Sequence, residues 1–232
     1  MFSLDDLQKL AVDKVIHIDS KCWVLASGQT THVYFDWRPV MGDAYYCKMM
    51  AGLAVAFAAG KGLGVDCFYG IPEGATPLAI AANIALAEQS SSFGPGSHVL
   101  PVGRVALKGH GETADRYVTV PPRGRVCVLE DTTTTGDSLA SRGLDRVLAV
   151  SGAELVGAVA LTNRMNLRGD GKSTEEFIRD KYSVPFYWLT TGPALIASAF
   201  PRVRKQLGDQ AVTVARELEE EYRRSGIELK LL

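Results

Sequence analysis

The sequence predicts an α/β protein with a mainly parallel central sheet. Short apolar runs at 65–71, 126–129, 155–161 and 186–189 are each bounded by polar or turn-forming residues, as strands buried on both faces of a parallel sheet are. Helix-length segments at 76–88, 138–151 and 173–181 separate them, and that alternation is the mark of βαβ units. At 232 residues with 47% hydrophobic side chains, the chain can bury one good core and is short for two full domains.

Taken in order, residues 3–15 read as a helix with a capping-type start, and 15–34 as extended segments around a Ser27-Gly28 turn. A helix rich in small and apolar residues spans 43–59, followed by the 65–71 strand, the 76–88 helix and a Ser/Gly/Pro loop at 90–97. A strand at 99–104, a polar stretch at 108–115 and a short strand at 117–120 precede the 126–129 run. After the 155–161 strand come helix 173–181, strand 186–189 and a strongly charged helix at 209–224. Two segments imitate nucleotide loops. Gly60-Lys-Gly-Leu-Gly64 ends a helix and precedes a strand, the reverse of a dinucleotide fingerprint, and reads as a helix C-cap. Gly171-Lys172-Ser173 lacks the first glycine of a phosphate loop, Asn166 standing there, and Ser173 with Glu176 forms a capping box instead.

Composition excludes several function classes. Lys plus Arg (25) nearly balances Asp plus Glu (26), so nothing global favours nucleic acid or an anionic membrane, and anion binding must be local. The four cysteines are scattered with no CxxC pair, which suits reduced thiols rather than a disulfide framework or a zinc site. The N-terminus is acidic, unlike a secretory signal, and the most apolar stretch, 49–59, is too short to span a bilayer. A cytoplasmic protein is expected.

One segment carries chemistry: Arg125-Val-Cys-Val-Leu-Glu130-Asp131-Thr-Thr-Thr-Thr135-Gly136-Asp137. An apolar strand runs into two adjacent acids, where open α/β sheets bind ligands. Buried acids need hydrogen-bond donors or cations; the vicinal hydroxyls of a ribose are one candidate and Mg2+ another. Backbone N–H groups from Thr132 through Thr133, Thr134 and Thr135 to Gly136 can form a concave nest, with the helix start at Asp137-Ser138 aimed at the same spot. Gly136 permits positive φ, and Asp137 or Ser138 can cap the helix.

This segment resembles the PRPP-binding fingerprint of the type I phosphoribosyltransferases, and further segments resemble the orotate phosphoribosyltransferase family. One is Trp23-Val-Leu25-Ala-Ser27-Gly28-Gln-Thr-Thr-His-Val-Tyr34-Phe35-Asp36-Trp-Arg38, whose aromatic pair Tyr34 and Phe35 would line a wall against the base. A second, Arg104-Val-Ala-Leu-Lys108-Gly-His110-Gly111, is similar to the loop that closes over the neighbouring subunit's active site; Arg104, Lys108 and His110 would neutralise the departing pyrophosphate. In the third, Leu161-Thr-Asn163-Arg164, the arginine would contact orotate through paired hydrogen bonds. Glu73 and Gly74, within Gly70-Ile-Pro-Glu73-Gly74-Ala75-Thr76, match the loop that cradles pyrophosphate.

The resemblance covers residues 23–164 and implies the type I phosphoribosyltransferase fold, one domain over 1–232 with a small hood from about 1–40 and the C-terminal region. It further implies transfer of ribose 5-phosphate from PRPP to orotate, giving orotidine 5′-phosphate and pyrophosphate in pyrimidine biosynthesis. Glu130 and Asp131 would bind the ribose hydroxyls, residues 132–138 the 5′-phosphate, and Thr134 with Arg164 the base. Mg2+ and a homodimer follow from the same resemblance. The chain departs from the family at Ala26, Gly74 and Val105, where basic residues are frequent, and at Asn163, where aspartate is usual. Those departures bear on the base more than on the donor, so a paralogue acting on another base and a PRPP-sensing regulator stand as alternatives.

Overall fold

The computed structural model describes residues 2–25, 28–106, 108–109 and 116–232. Helix α1 (Leu4–Lys14) opens on a capping box between Ser3 and Asp6. It leads into an antiparallel hairpin, β1 (Ile16–Val24) with β2 (Thr30–Phe35), in register from Ile16↔Phe35 to Val24↔Thr30 with an irregularity between Ile18 and Trp23. After the single turn α2 (Arg38–Met41), Asp43 caps α3 (Ala44–Gly60) by accepting from the Tyr45 and Tyr46 amides. Then follow β3 (Cys67–Gly70), α4 (Thr76–Glu88), the small pair β4 (Val102–Gly103) and β5 (Val118–Val120), and the long strand β6 (Gly124–Thr133). A π-helical stretch, Leu139–Leu144, runs into α5 (Asp145–Leu148), followed by β7 (Ala153–Asn163), α6 (Thr174–Tyr182) and β8 (Phe186–Thr191). Helices α7 (Gly192–Leu207) and α8 (Ala211–Arg223) end the order.

The central sheet has the order β3-β6-β7-β8 with every pair parallel, as expected. Alternation along β6 sends Val126 and Val128 to one face and Cys127 and Leu129 to the other. The first pair packs with Ala158, Ala160, Leu139, Leu144 and Ile178; the second with Val159, Leu161, Met50, Leu78 and Phe200. Both faces are therefore dry, and burying a side chain such as Leu129 stabilises by about 1.5–3 kcal/mol. Gly143 lets the π-helical stretch lie against the sheet, since a Cβ there would sit 2.8 Å from Val128 Cγ1.

Strand β6 continues through the two acids to Thr133, four residues past the apolar run, because Glu130, Thr132 and Thr133 keep parallel pairing with Ala160, Thr162 and Asn163. The strand expected over 99–104 shortens to two residues paired with β5. Helix α7 was not anticipated. No element is read from the sequence between the strand at 186–189 and the helix at 209–224; Pro193 occupies the first turn of α7, where its missing N–H costs nothing. Burial of Leu195, Ile196, Ala199 and Phe200 offsets the hydrogen bond forfeited at Pro201. The Ser173–Glu176 capping box forms as read, each side chain accepting from the other's amide at 3.2 and 2.9 Å. Ser173→Ala should lower stability by about 1 kcal/mol in urea unfolding, with an unchanged m-value.

Candidate functional site

The acids lie at the carboxyl end of β6. Glu130 is buried, and that burial, reinforced by the neighbouring Asp131 charge, pushes its pKa well above the usual carboxylate range. Asp131 is half-buried and its Oδ1 accepts from the Thr132 amide at 2.8 Å. Beyond them, Glu130 and residues 132–138 line one cavity. Thr132 Oγ1 is buried there with no hydrogen-bond partner among the described residues, a costly state that a ligand oxygen would relieve. The turn is built for close approach: Gly136 has φ +80°, and a Cβ on it would stand 2.8 Å from Thr174 Cγ2. Thr174 Oγ1 donates to the Thr134 carbonyl, pinning the loop to α6.

Neither cap expected at the helix start is made. The Ser138 side chain makes no capping bond, and the Asp137 carboxylate is engaged by the Thr135 hydroxyl at 2.6 Å and by Arg168 Nη1 at 2.9 Å. Those two donors, the hydroxyl first, hold Asp137 below the usual carboxylate range. The first-turn amides are thus left without a side-chain cap, as an anion site requires.

Arg168, which the sequence reading missed, fixes this loop. Its Nη1 also donates to the Thr135 carbonyl, and its guanidinium carbon lies 3.7 Å from the Phe177 ring centroid. Arg38 is a second cation near the acids. It is clamped by Asp36 at 2.7 and 3.0 Å and donates to Tyr34 Oη at 3.2 Å. Asp36, then Tyr34 and more weakly Asp131 raise its pKa above the ordinary arginine value. Its position in the quoted 23–38 segment was the available signal; Arg168 had none beyond lying in the loop after β7.

Gly74 comes onto the acids from the β3–α4 loop: a Cβ there would fall 2.5 Å from Asp131 Oδ2. Glu73 on the same loop is exposed. Tyr34 is half-buried and stacks with Trp23 at 6.1 Å, whereas Phe35 is packed in the core beneath Arg164, 5.3 Å from its guanidinium carbon. Arg164 itself is buried and donates to Asn166 Oδ1, the Val33 carbonyl, Thr31 Oγ1 and Glu221 Oε1 at 3.0–3.2 Å. A guanidinium has five N–H groups, so one Nη1 hydrogen is left among the described residues, rather than the pair that the resemblance implies for orotate. Arg104 is half-buried beside β5, its amide bonded to the Tyr117 carbonyl, and Lys108 is exposed. Among the described residues neither lines the 132–138 cavity. Ala26, Ser27, His110 and Gly111 lie outside the described residues.

No protein-family model matches the chain. Among curated proteins, the orotate phosphoribosyltransferase of Aeropyrum pernix is 30% identical over 142 residues, which are 61% of this chain and 69% of that protein. The chain belongs to the orotate phosphoribosyltransferase family. The orotate phosphoribosyltransferase of Nitrosomonas europaea is 26% identical over 164 residues, 71% of this chain and 69% of that one. The crystal structure of the Aeropyrum pernix enzyme matches with a TM-score of 0.61 at 23% identity, covering 83% of this chain and 96% of that chain, and this likeness shows the type I phosphoribosyltransferase fold.

For an orotate phosphoribosyltransferase chain with this acid pair, two outcomes follow. Gly74→Ala should weaken PRPP binding by displacing Asp131, read as a raised Kd in calorimetry with the fold intact by circular dichroism. A proton that Glu130 keeps when folded and sheds when unfolded adds stability that is complete below the ordinary value of 4.5 and is lost as pH rises through the raised value. The melting temperature of Glu130→Gln should therefore gain on the wild type as pH rises above 4.5, and the difference should level off above the raised value.

Proposed function

We propose that the protein transfers the ribose 5-phosphate group of PRPP to orotate, forming orotidine 5′-phosphate and pyrophosphate in pyrimidine biosynthesis. The observation that carries the reading is the run 130–138, in which the buried Glu130, an orphaned hydroxyl and an uncapped helix start surround one cavity beside the half-buried Asp131, in a chain of this family. Asp131 and Glu130 meet the ribose hydroxyls. Backbone amides of the Thr134–Gly136 turn hold the 5′-phosphate, with Arg168 fixing the turn's shape through the Thr135 carbonyl. Glu73 and Gly74 bring backbone to the diphosphate, and Tyr34, Thr134 and Arg164 lie on the side of the base.

No residue needs to act as a covalent nucleophile. The bond from ribose to pyrophosphate loosens as positive charge grows on the sugar, so positioning and charge stabilisation supply the rate. The carboxylate of Asp131 faces the developing cation, while Lys108, Arg104 and His110 neutralise the leaving diphosphate when their loop closes. Asp131 and the Thr132 hydroxyl offer oxygen donors of the kind Mg2+ takes and would hold the ion, which would supply charge neutralisation on the diphosphate. We take the chain as one domain whose hood combines the β1–β2 hairpin, α1 and the C-terminal helices, acting as a cytoplasmic homodimer with the 104–111 loop shared between subunits. Buried, unpaired Cys47, Cys67 and Cys127 support a reducing compartment, and no helix among the described residues is long and apolar enough to cross a membrane.

Loss of orotate absorbance with PRPP and Mg2+, run against uracil, hypoxanthine and adenine, tests the reading. Turnover of orotate is expected; turnover of another base alone would reassign the acceptor, and none at all would return the chain to the sensor alternative. Lys108→Ala should lower kcat on the order of 10²–10³-fold while leaving PRPP affinity little changed, separated by steady-state kinetics and calorimetry.

A further inference from the structure

Away from the phosphate cavity, three side chains of metal-binding type meet where the β1–β2 hairpin lies against α8. Cys22 comes from β1, His32 from β2 and Glu217 from α8, and their ligand atoms all lie within 4.8 Å of one another. His32 is buried; its Nε2 stands 2.8 Å from Glu217 Oε2 and 3.6 Å from Cys22 Sγ. The other ring nitrogen, Nδ1, is 2.8 Å from the Asp19 carbonyl, to which it donates. That second bond fixes the ring's orientation and the tautomer with Nε2 turned outward, the arrangement characteristic of metal-ligating histidines.

We propose that Cys22, His32 and Glu217 form a binding site for a divalent zinc-class metal ion that clasps the hairpin to α8. Tetrahedral Zn2+ with sulfur at about 2.3 Å and nitrogen and oxygen at about 2.0–2.2 Å places its ligand atoms roughly 3.3–3.6 Å apart. The sulfur–nitrogen separation already matches. Glu217, an exposed side chain, has to withdraw by roughly half an ångström from its 2.8 Å contact with Nε2. Cys22 Sγ lies beside the ring, nearly equidistant from Nε2 and Nδ1 at 3.6 and 3.8 Å, and turns toward Glu217 by rotation about χ1, which its exposure permits. On binding, the thiol proton passes to water, the thiolate and imidazole occupy two positions and the carboxylate a third, leaving one for water. Soft sulfur and imidazole select Zn2+ or Co2+ over Mg2+, so this site and the all-oxygen site at β6 take different ions.

The clasp acts on more than the hairpin. Glu221 lies one turn beyond Glu217 on α8, and its carboxylate receives both Thr31 Oγ1 at 2.7 Å and Arg164 Nη2 at 3.0 Å. An ion on His32 and Glu217 therefore fixes the same pairing of β2 with α8 that holds Arg164, and it stabilises the folded chain by mass action.

The test uses the full chain, reduced and stripped with EDTA, titrated with Co2+. One equivalent is expected to bind with thiolate-to-cobalt charge-transfer absorption and the intense visible bands of four-coordinate cobalt, and Zn2+ should displace it. Cys22→Ser removes an exposed thiol, so the fold is retained; the charge-transfer band should vanish and the Zn2+-induced rise in melting temperature should shrink with it. Glu217→Gln should weaken Zn2+ by more than about tenfold. Absence of a thiolate band, its persistence in Cys22→Ser, or unchanged Zn2+ affinity in Glu217→Gln would each overturn the three-ligand site. Orotate turnover is a separate readout, so failure here and failure of the phosphoribosyltransferase reading are distinguishable.

Discussion

A guanidinium buried at the end of β7 holds together the parts of the molecule from which the site is made. Arg164 is almost wholly removed from water, and its donors reach the β2 backbone, the Thr31 hydroxyl, the Asn166 amide oxygen and the Glu221 carboxylate on α8. Removing such a charge from water costs several kcal/mol, and the cost is met when partners take up its hydrogens; with one partner lost, an uncompensated charge remains. Asn166 also donates to Glu221 Oε1, so the acid collects hydrogen bonds from β2, from the loop after β7 and from the arginine between them. The hairpin is thereby tied to the carboxyl edge of the sheet by polar geometry that admits few alternative arrangements, whereas apolar packing alone would allow sliding. A second polar line runs beneath it, from Trp37 Nε1 through the Thr162 and Thr190 hydroxyls to the Leu161 carbonyl.

With the sheet edge fixed, the 132–138 loop is shaped mostly by its own backbone. Positions 74 and 105 carry no cation, and the arginines beside the acids and the loop arrive from elsewhere. Arg38 is oriented by a bidentate clamp from Asp36 two residues away, and Arg168 by Phe177 and the loop carbonyl. Arginine suits both posts because a planar fork can hold a carboxylate and stack on a ring at once.

The cavity lined by Glu130 and residues 132–138 was legible in the sequence because it is contiguous: strand, acids, threonines and glycine follow one another in 125–138, and periodicity with turn chemistry locates each. The parallel sheet was legible for a related reason, since strands dry on both faces are written as unbroken apolar runs. What escaped was assembled across distance. Arg168 meets Thr135 and Asp137 from 31 to 33 residues away, and His32 meets Glu217 across 185. No local pattern encodes such pairings. Helix α7 escaped because its two prolines give no local sign of a helix, and the apolar face that stabilises it acts only once it is packed.

The approach of Gly74 to Asp131 has a consequence for how this chain and its relatives can exchange parts. The space a side chain at 74 would occupy is held by a carboxylate oxygen of Asp131. A lysine restored there would have to displace the acid before it could contribute a charge, so the two positions are epistatic. A change harmless in a relative's background is harmful in this one unless the β3–α4 loop shifts first. A chimera that changes position 74 would therefore have to transplant the loop and the strand end together.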